Sequence, residues 1–266
     1  MGFEEFLREV ASPLGLQWRP FKRKGIRRKV ERRISQIGLS NYEEYFLRIK
    51  KDPQEHHTLS EILTVTISRF FRDKEVFNTV GQTVLPALLR EKEREELRIW
   101  SIGCANGEEP YSLLLLWEEH LGKDWPKVHL SILATDLDEH LFERAKKGTY
   151  KRSSLTEVSD EILQRFFKVG NDSCVLEDTV RNGIEFRRHD ILREEPFLGM
   201  DMVFCRNLAF TYFSKEGQMD VLRKIATSLI EAGYLVIGKD ESLPLTYPTL
   251  FVPVFPTEKI YQKFTM

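Results

Sequence analysis

Residues 97–102 form a short, mostly apolar run that stops at Gly103-Cys104-Ala105-Asn106-Gly107 and passes straight into a helical pattern from about Glu109 to Leu121. That junction is the strand–turn–helix of nucleotide-binding α/β folds. Glycine at the turn lets the backbone reverse sharply and approach a ligand closely. The pattern then repeats. Strands are predicted at residues 128–134, 183–187, 201–205 and 234–237, with helices at 139–147 and 215–230. Strands alternating with helices imply a doubly wound, mainly parallel sheet. Residues 251–255 and 259–264 are predicted to close the chain as a hairpin, which gives that sheet an antiparallel edge.

The first 75 residues read differently. Phe3, Phe6, Leu7 and Val10 recur at helical spacing, as do Ile26, Val30, Ile34 and Ile37 before a natural stop at Gly38. Asn41 is placed to cap a third helix carrying Tyr42, Tyr45, Phe46 and Ile49, with Pro53 just beyond it. The expected organisation is a small all-α domain over residues 1–75, a linker helix over 76–96 and an α/β domain over 97–266. A chain of 266 residues is long enough for both domains. Residues 149–182 fit neither periodicity beyond a helix at about 159–167, and are expected to form a substrate-facing insertion.

No apolar run approaches the ~20 residues of a membrane span, and the N-terminus carries acids and lacks a signal-peptide core. A cytoplasmic protein without membrane insertion is expected. Cys104, Cys174 and Cys205 lie far apart and read as free thiols, and no metal site is expected. The net charge of −1 exerts no global pull on nucleic acid. The stretch 19–33 is nonetheless basic: Arg19, Lys22, Arg23, Lys24, Arg27, Arg28, Lys29, Arg32 and Arg33 stand against Glu31 alone. It is either a solvated helix face or a surface for a partner.

Asp136 ends the second strand, where a carboxylate accepts hydrogen bonds from both hydroxyls of a ribose. To that point the ligand could equally be NAD. Glu108 and Glu109 separate the two cases. A pyrophosphate would lie at the N-terminus of this helix, where two carboxylates repel it. S-adenosylmethionine carries an ammonium and a sulfonium and no phosphate, and Glu108 can pair with the ammonium. The bland alternative is that both acids merely favour a helix N-terminus. Residues 233–240 mimic a phosphate-binding loop, but no Ser or Thr follows Lys239 and the middle is a buried strand.

Several segments together resemble the CheR-type chemotaxis receptor methyltransferases. They are Phe70-Phe71-Arg72, Ile99-Trp100-Ser101-Ile102-Gly103-Cys104, Gly107-Glu108-Glu109-Pro110-Tyr111-Ser112, Ala134-Thr135-Asp136, Phe204-Cys205-Arg206-Asn207, and Gly238 with Glu241-Ser242-Leu243. The resemblance implies a class I methyltransferase fold, S-adenosylmethionine as cofactor, and esterification of protein glutamates. It also implies roles. Thr66, Ser68 and Arg72 would line the methionine end of the cofactor, beside Gly103. Glu108 would hold its ammonium and Asp136 its ribose. Asp190 and Ile191 would flank the adenine, and Asn207 and Leu208 would contact the cofactor beside the substrate channel. Arg72 and Tyr212 would lie near the transferring methyl. In that family the basic region faces an acidic protein substrate.

This chain departs from the pattern in four places, one of them Lys239-Asp240, which stands where the family has His-Ser after the last Gly. Thr66 and Ser68 stand where the family has Asn and Thr. One extra residue separates Asn207 from Tyr212-Phe213, on the substrate side. The segment before Ile184 is short and lacks the Gly-rich loop of members that tether to a receptor tail, so no tethering is expected. A carboxylate acceptor is already nucleophilic and needs no general base, whereas an amine or phenol would need one. The expected partner is an acidic protein, such as a receptor, docked on the basic stretch. The alternatives are a small-molecule acceptor, which the extra residue favours, and RNA, which the charge balance does not. A cofactor-sensing module without turnover is a further alternative. No coiled-coil pattern or exposed apolar patch is legible, and a monomer is expected.

Overall fold

The computed structural model describes residues 1–18, 24–63, 68–91, 95–244 and 249–264. The N-terminal region contains α1 (Phe3–Ala11), α2 (Lys24–Gln36), α3 (Tyr42–Lys51) and α4 (Pro53–Leu63). Phe6, Leu7, Val10, Ile26, Val30, Ile34, Tyr45, Ile49, Leu59 and Leu63 form their common core. Asn41 caps α3, accepting from the Glu44 amide at 2.9 Å. Pro53, read from sequence as the stop after α3, is instead the first residue of α4. Asp52 accepts from the Gln54 amide at 3.0 Å, and proline is at home in a first turn that needs no N–H. The buried Glu55 then joins three helices. Arg33 donates to it through Nε at 2.9 Å and Nη2 at 2.6 Å, and the Tyr45 hydroxyl donates at 2.8 Å.

A continuous helix follows: α5 (Lys74–Thr79), a π turn (Val80–Val84) and α6 (Leu85–Glu91). Residues 76–96 were expected to be a linker. The helix they contribute to sends Val76, Phe77, Val80, Val84, Leu85, Leu88 and Leu89 into the core beneath the large sheet. A Cβ on Gly81 would come within 2.9 Å of Leu116 Cδ1, so the π turn passes close to α7 (Glu108–Leu116).

The large sheet contains β1 (Glu96–Ile102), β2 (His129–Asp136), β6 (Ile184–Arg188), β7 (Met200–Cys205), β8 (Leu229–Ile237), β9 (Phe251–Phe255) and β10 (Ile260–Lys263), in the order β6-β2-β1-β7-β8-β10-β9. The first five positions are mutually parallel, and β10 runs antiparallel to β8 and β9. Leu97 and Ile99 of β1 face one core cluster while Trp100 and Ile102 face the other, as a central strand covered on both sides requires. The chain winds outward from β1 through β2 to β6, then crosses back to β7 and β8. The order therefore reverses between β1 and β7, and the crevice beyond their C-terminal ends is where such sheets bind ligands.

Residues 149–182 hold more regular structure than the one predicted helix. They fold into a three-stranded antiparallel sheet of β3 (Thr149–Lys151), β4 (Phe167–Val169) and β5 (Ser173–Leu176), in the order β3-β5-β4. The helix predicted there is α9 (Asp160–Phe166), capped by Ser159, and α10 (Asp178–Arg181) leads on to β6. The remaining helices are α8 (His140–Lys147), α11 (Ala209–Tyr212) and α12 (Lys215–Ser228).

The helical region is stitched to the α/β region by a short antiparallel bridge between Leu16 and Phe213. Gln17 donates its amide to the Tyr212 carbonyl at 2.6 Å and its side chain to the Phe213 carbonyl at 2.7 Å. Ser214 donates back to the Gly15 carbonyl at 2.8 Å. No helix among the described residues is long and apolar enough to cross a membrane.

Gly107 precedes α7 with φ +86°, and a Cβ there would sit 3.0 Å from both Ala145 Cβ and Tyr111 Cε2. Gly107→Ala is expected to destabilise the protein by about 1–3 kcal/mol, through left-handed backbone strain and steric crowding. Urea unfolding measures it, and a loss below ~0.5 kcal/mol would show that the turn tolerates a side chain.

Candidate active site

The turn after β1 is built before any ligand is considered. Gly103 (φ +73°), Ala105 (φ +50°) and Gly107 all adopt left-handed backbone. The amides of Gly103 and Cys104 donate to the Thr135 carbonyl at 2.7 and 3.0 Å, tying the turn to β2. From the small sheet, the Tyr150 hydroxyl donates to the Asn106 carbonyl at 2.7 Å. A Cβ on Gly103 would lie 2.6 Å from Leu208 Cδ2, which places the turn after β1 directly against the segment after β7.

Three carboxylates line this crevice. Asp136 accepts from the Ala105 amide through Oδ2 at 2.9 Å and from the Asp138 amide through Oδ1 at 3.2 Å, and stays partly exposed. Burial pushes its pKa up, and these backbone donors pull against that shift. Glu108 is 2% exposed. Burial pushes its pKa up too, opposed by its own backbone amide, the charge of Arg144 and a hydrogen bond from Ser68. Its Oε2 is buried with no hydrogen-bond partner. A native protein rarely leaves a carboxylate oxygen so. Glu109 is different: it accepts from the Ser101 hydroxyl at 2.8 Å and pairs with Arg206 at 3.3 Å. Burial raises its pKa, and the charges of Arg206 and Arg72 oppose the rise.

Arg72 sits between two strained residues, Phe71 (φ +51°) and Asp73 (φ +61°). The loop is held from both sides. The Phe71 amide donates to the Ser112 hydroxyl at 2.8 Å, and that hydroxyl donates to the Glu108 carbonyl at 2.6 Å. Arg206, with its side chain 2% exposed, donates to the Arg72 carbonyl at 2.9 Å and to Asp73 at 2.6 Å. Asn207 (φ +58°) is fixed by the buried Glu241, whose Oε2 accepts from the Asn207 and Gly238 amides, each at 2.7 Å. Its Oε1 accepts from the Thr211 hydroxyl at 2.7 Å.

The residues singled out from sequence thus fall at the C-terminal ends of adjacent strands. Gly103 and Glu108 follow β1, Asp136 ends β2, Asp190 and Ile191 follow β6, and Asn207 and Leu208 follow β7. Ser68 touches Glu108, and the Arg72 charge reaches Glu109. Thr66 lies outside the described residues, as do Arg19, Lys22 and Arg23. Tyr212 stands further out, on α11, packed against both the core beneath β7 and the core of the helical region. Sequence reasoning gave no site role to Arg206, Glu241 or Ser112. The signal for Arg206 was a charge directly abutting β7, whose six residues are all buried. Among the described residues, no group of three or more His, Cys, Asp or Glu could hold a metal ion.

The arrangement fits S-adenosylmethionine. The glycine turn admits close backbone approach, Asp136 keeps acceptor capacity for a ribose, and Glu108 offers an unsatisfied buried oxygen to an ammonium. A phosphate would meet the carboxylates of Asp136 and Glu108.

Comparison with known proteins agrees. Residues 66–260 match the CheR methyltransferase SAM binding domain, and residues 1–64 match the CheR methyltransferase all-alpha domain. A chemotaxis protein methyltransferase of Listeria monocytogenes is 34% identical over 238 residues, covering 90% of this chain and 88% of the relative. Chemotaxis protein methyltransferase 1 of Pseudomonas aeruginosa is 37% identical over 190 residues, covering 69% of this chain and 68% of the relative. Chemotaxis protein methyltransferase Cher2 of Pseudomonas putida is 29% identical over 252 residues, covering 91% and 90%.

Proposed function

The chain belongs to the CheR methyltransferase family, in both its all-α and its S-adenosylmethionine-binding domain, and from that premise we propose that it esterifies glutamate carboxylates of a chemotaxis receptor. It is an S-adenosylmethionine-dependent methyltransferase of class I fold. The observation that carries the reading of the site is the buried, unpartnered Oε2 of Glu108 at the start of α7.

When bound, S-adenosylmethionine supplies a methyl group on a sulfonium. The residues do the rest. Glu108 would bind the ammonium, and Ser68 and Gly103 would line the same end. Asp136 would accept from the ribose, Asp190 and Ile191 would flank the adenine, and Asn207 and Leu208 would close the substrate side. Arg72 holds the acceptor carboxylate by a charge-assisted hydrogen bond, with Tyr212 at the outer rim. Fixed negative charge beside a sulfonium donor would oppose its reaction. Glu109 meets that requirement, because Arg206 neutralises it. No general base is needed for a carboxylate acceptor. Alignment of acceptor, methyl and sulfur is the main catalytic task.

The substrate is read as an acidic protein surface docked on α2 in the cytoplasm, by a monomeric enzyme. Arg28, Lys29 and Arg32 of α2 are exposed, whereas Arg27 and Arg33 are engaged by Glu31 and Glu55. The proposed division places substrate docking in residues 1–75 and chemistry in 97–266, with β3, β4 and β5 facing the substrate side without tethering a receptor tail. A small-molecule acceptor is the second reading. It is favoured by the extra residue in the segment 208–213, where Thr211 donates to Glu241 and Tyr212 packs against the helical core.

The deciding experiment is transfer of labelled methyl from S-adenosylmethionine into fractionated lysate, followed by mild alkali. Protein-bound label released as methanol is expected. Label that survives alkali, or that appears only in small molecules or RNA, would remove glutamate as the acceptor.

A further inference from the structure

Residues 189–199 follow β6 without regular secondary structure, yet the backbone of this loop is closely held. Lys224, one turn before the end of α12, donates its ammonium to the carbonyls of Ile191 at 3.0 Å, Leu192 at 3.0 Å and Glu194 at 2.7 Å. Three donors meet three acceptors, the full capacity of the group. The rest of the loop turns about Asp190. Its Oδ1 accepts from the Leu192 amide at 3.0 Å, and its carbonyl accepts from the amides of Arg193 and Glu194 at 3.0 and 2.8 Å. The base of the loop is set by the His189 amide, which donates to the Asp136 carbonyl at 3.0 Å.

Three carbonyl dipoles that converge on one point repel one another unless a cation sits there. Lys224 is that cation, and every bond it makes here is to backbone. Its effect is therefore to fix a loop shape. We propose that Lys224 is a positioning residue for cofactor binding, holding the 190–194 loop in the form that seats the adenine. The inference rests on the reading that Asp190 and Ile191 flank the base. Lys224 acts through them from the α12 side.

The test separates the two ends of the cofactor. S-adenosylhomocysteine carries both adenosine and amino acid, whereas 5′-methylthioadenosine lacks the amino acid. Lys224→Met keeps the apolar stem and removes the charge. Lys224→Arg keeps the charge, but its planar fork cannot converge on three carbonyls. Lys263→Met is the control, because Lys263 also bonds a carbonyl, that of Leu229, and an acid, Glu231, far from the crevice.

Lys224→Met is expected to weaken both ligands by the same factor, about tenfold. Lys224→Arg should weaken both equally but less, with kcat at saturating cofactor within about twofold of wild type in each. Lys263→Met should bind both as wild type does, and melting temperatures identify any variant that has lost its fold. Wild-type affinity for both ligands in folded Lys224→Met or Lys224→Arg overturns the proposal. So does a loss confined to S-adenosylhomocysteine, which would place the effect at the amino acid end. Failure of the wild-type protein to bind either ligand would overturn the reading of the site together with this inference.

Discussion

Arg206→Met is expected to lower the unfolding free energy by about 3–5 kcal/mol, the range for removing one member of a buried, hydrogen-bonded ion network. Arg206 binds Glu109, Asp73 and the Arg72 carbonyl at once, and its side chain is almost fully buried. Without it Glu109 is a buried carboxylate beside a strained loop, and burial alone already pushes its pKa up. The acid is then expected to take up a proton, which limits the loss to the lower end of the range. The double variant Arg206→Met/Glu109→Gln should recover part of it, because the orphaned charge goes with the arginine. Urea unfolding of the two single variants and the double variant measures the coupling. Purely additive losses would mean that Arg206 and Glu109 act separately. The loop bearing Arg72 should loosen in the same variant, because Phe71 and Asp73 hold left-handed backbone that relaxes once the clasp is removed.

Glu108→Gln is expected to weaken S-adenosylhomocysteine binding roughly 10- to 100-fold, the loss for a hydrogen bond to a charged partner. It should also change how binding depends on pH. Burial holds the Glu108 carboxyl above its ordinary value. A carboxyl raised in the folded state makes the free protein lose stability as pH rises from the unfolded value through the folded one. An ammonium bound against the carboxylate reverses that penalty and lowers the pKa in the complex. Binding should therefore tighten as pH rises through the raised value and release a proton there. It should level off before the ligand amine itself deprotonates, near pH ~7.7–8.0 for an ordinary α-amino group. Calorimetry in buffers of different ionisation enthalpy reads the proton directly. Glu108→Gln should abolish the part of the release that comes from this residue, leaving any contribution of Asp136. Unchanged proton release in Glu108→Gln would move the ammonium site elsewhere.

Most of the α/β frame was legible because its signals are local. β1 and β2 are apolar runs ending at Gly103 and Asp136, and α12 carries a buried stripe of Val221, Leu222, Ile225 and Ala226. Gly103, Glu108, Asp136, Asp190, Ile191, Asn207 and Leu208 stand at strand ends, where the doubly wound topology puts any ligand, whereas Ser68, Arg72 and Tyr212 do not. What was missed depends on contacts distant in sequence. β4 and β5 are short, and only the alternation of Cys174 and Leu176 marks the second of them. Phe167 of β4 is buried against Phe70, almost a hundred residues earlier in the chain. Pro53 signals a helix stop and a helix start equally well, and the Asp52 cap decides between them. Arg206 and Glu241 are charged residues whose partners are Arg72, Asp73, Asn207 and Thr211. For Arg206 the only local sign is that it directly abuts the fully buried β7, and for Glu241 the local sequence carries none.

The bridge between Leu16 and Phe213 also bears on how the chain acquires its shape during synthesis. Gln17 and the Phe213 carbonyl lie 196 residues apart. The fully buried core of the four N-terminal helices lies between Phe6 and Leu63, and Tyr212 packs against it from far along the chain. The four helices can assemble early, from contacts of low sequence separation. The bridge can form only after residue 214 has left the ribosome, once the chain entropy of a very long loop has been overcome. A nascent chain stalled before that point lacks the partners of Leu16 and Gln17 across the bridge and the packing of Tyr212 on the helical core. Joining the two halves is therefore among the latest folding steps, and partly synthesised enzyme lacks the seam that sets Tyr212.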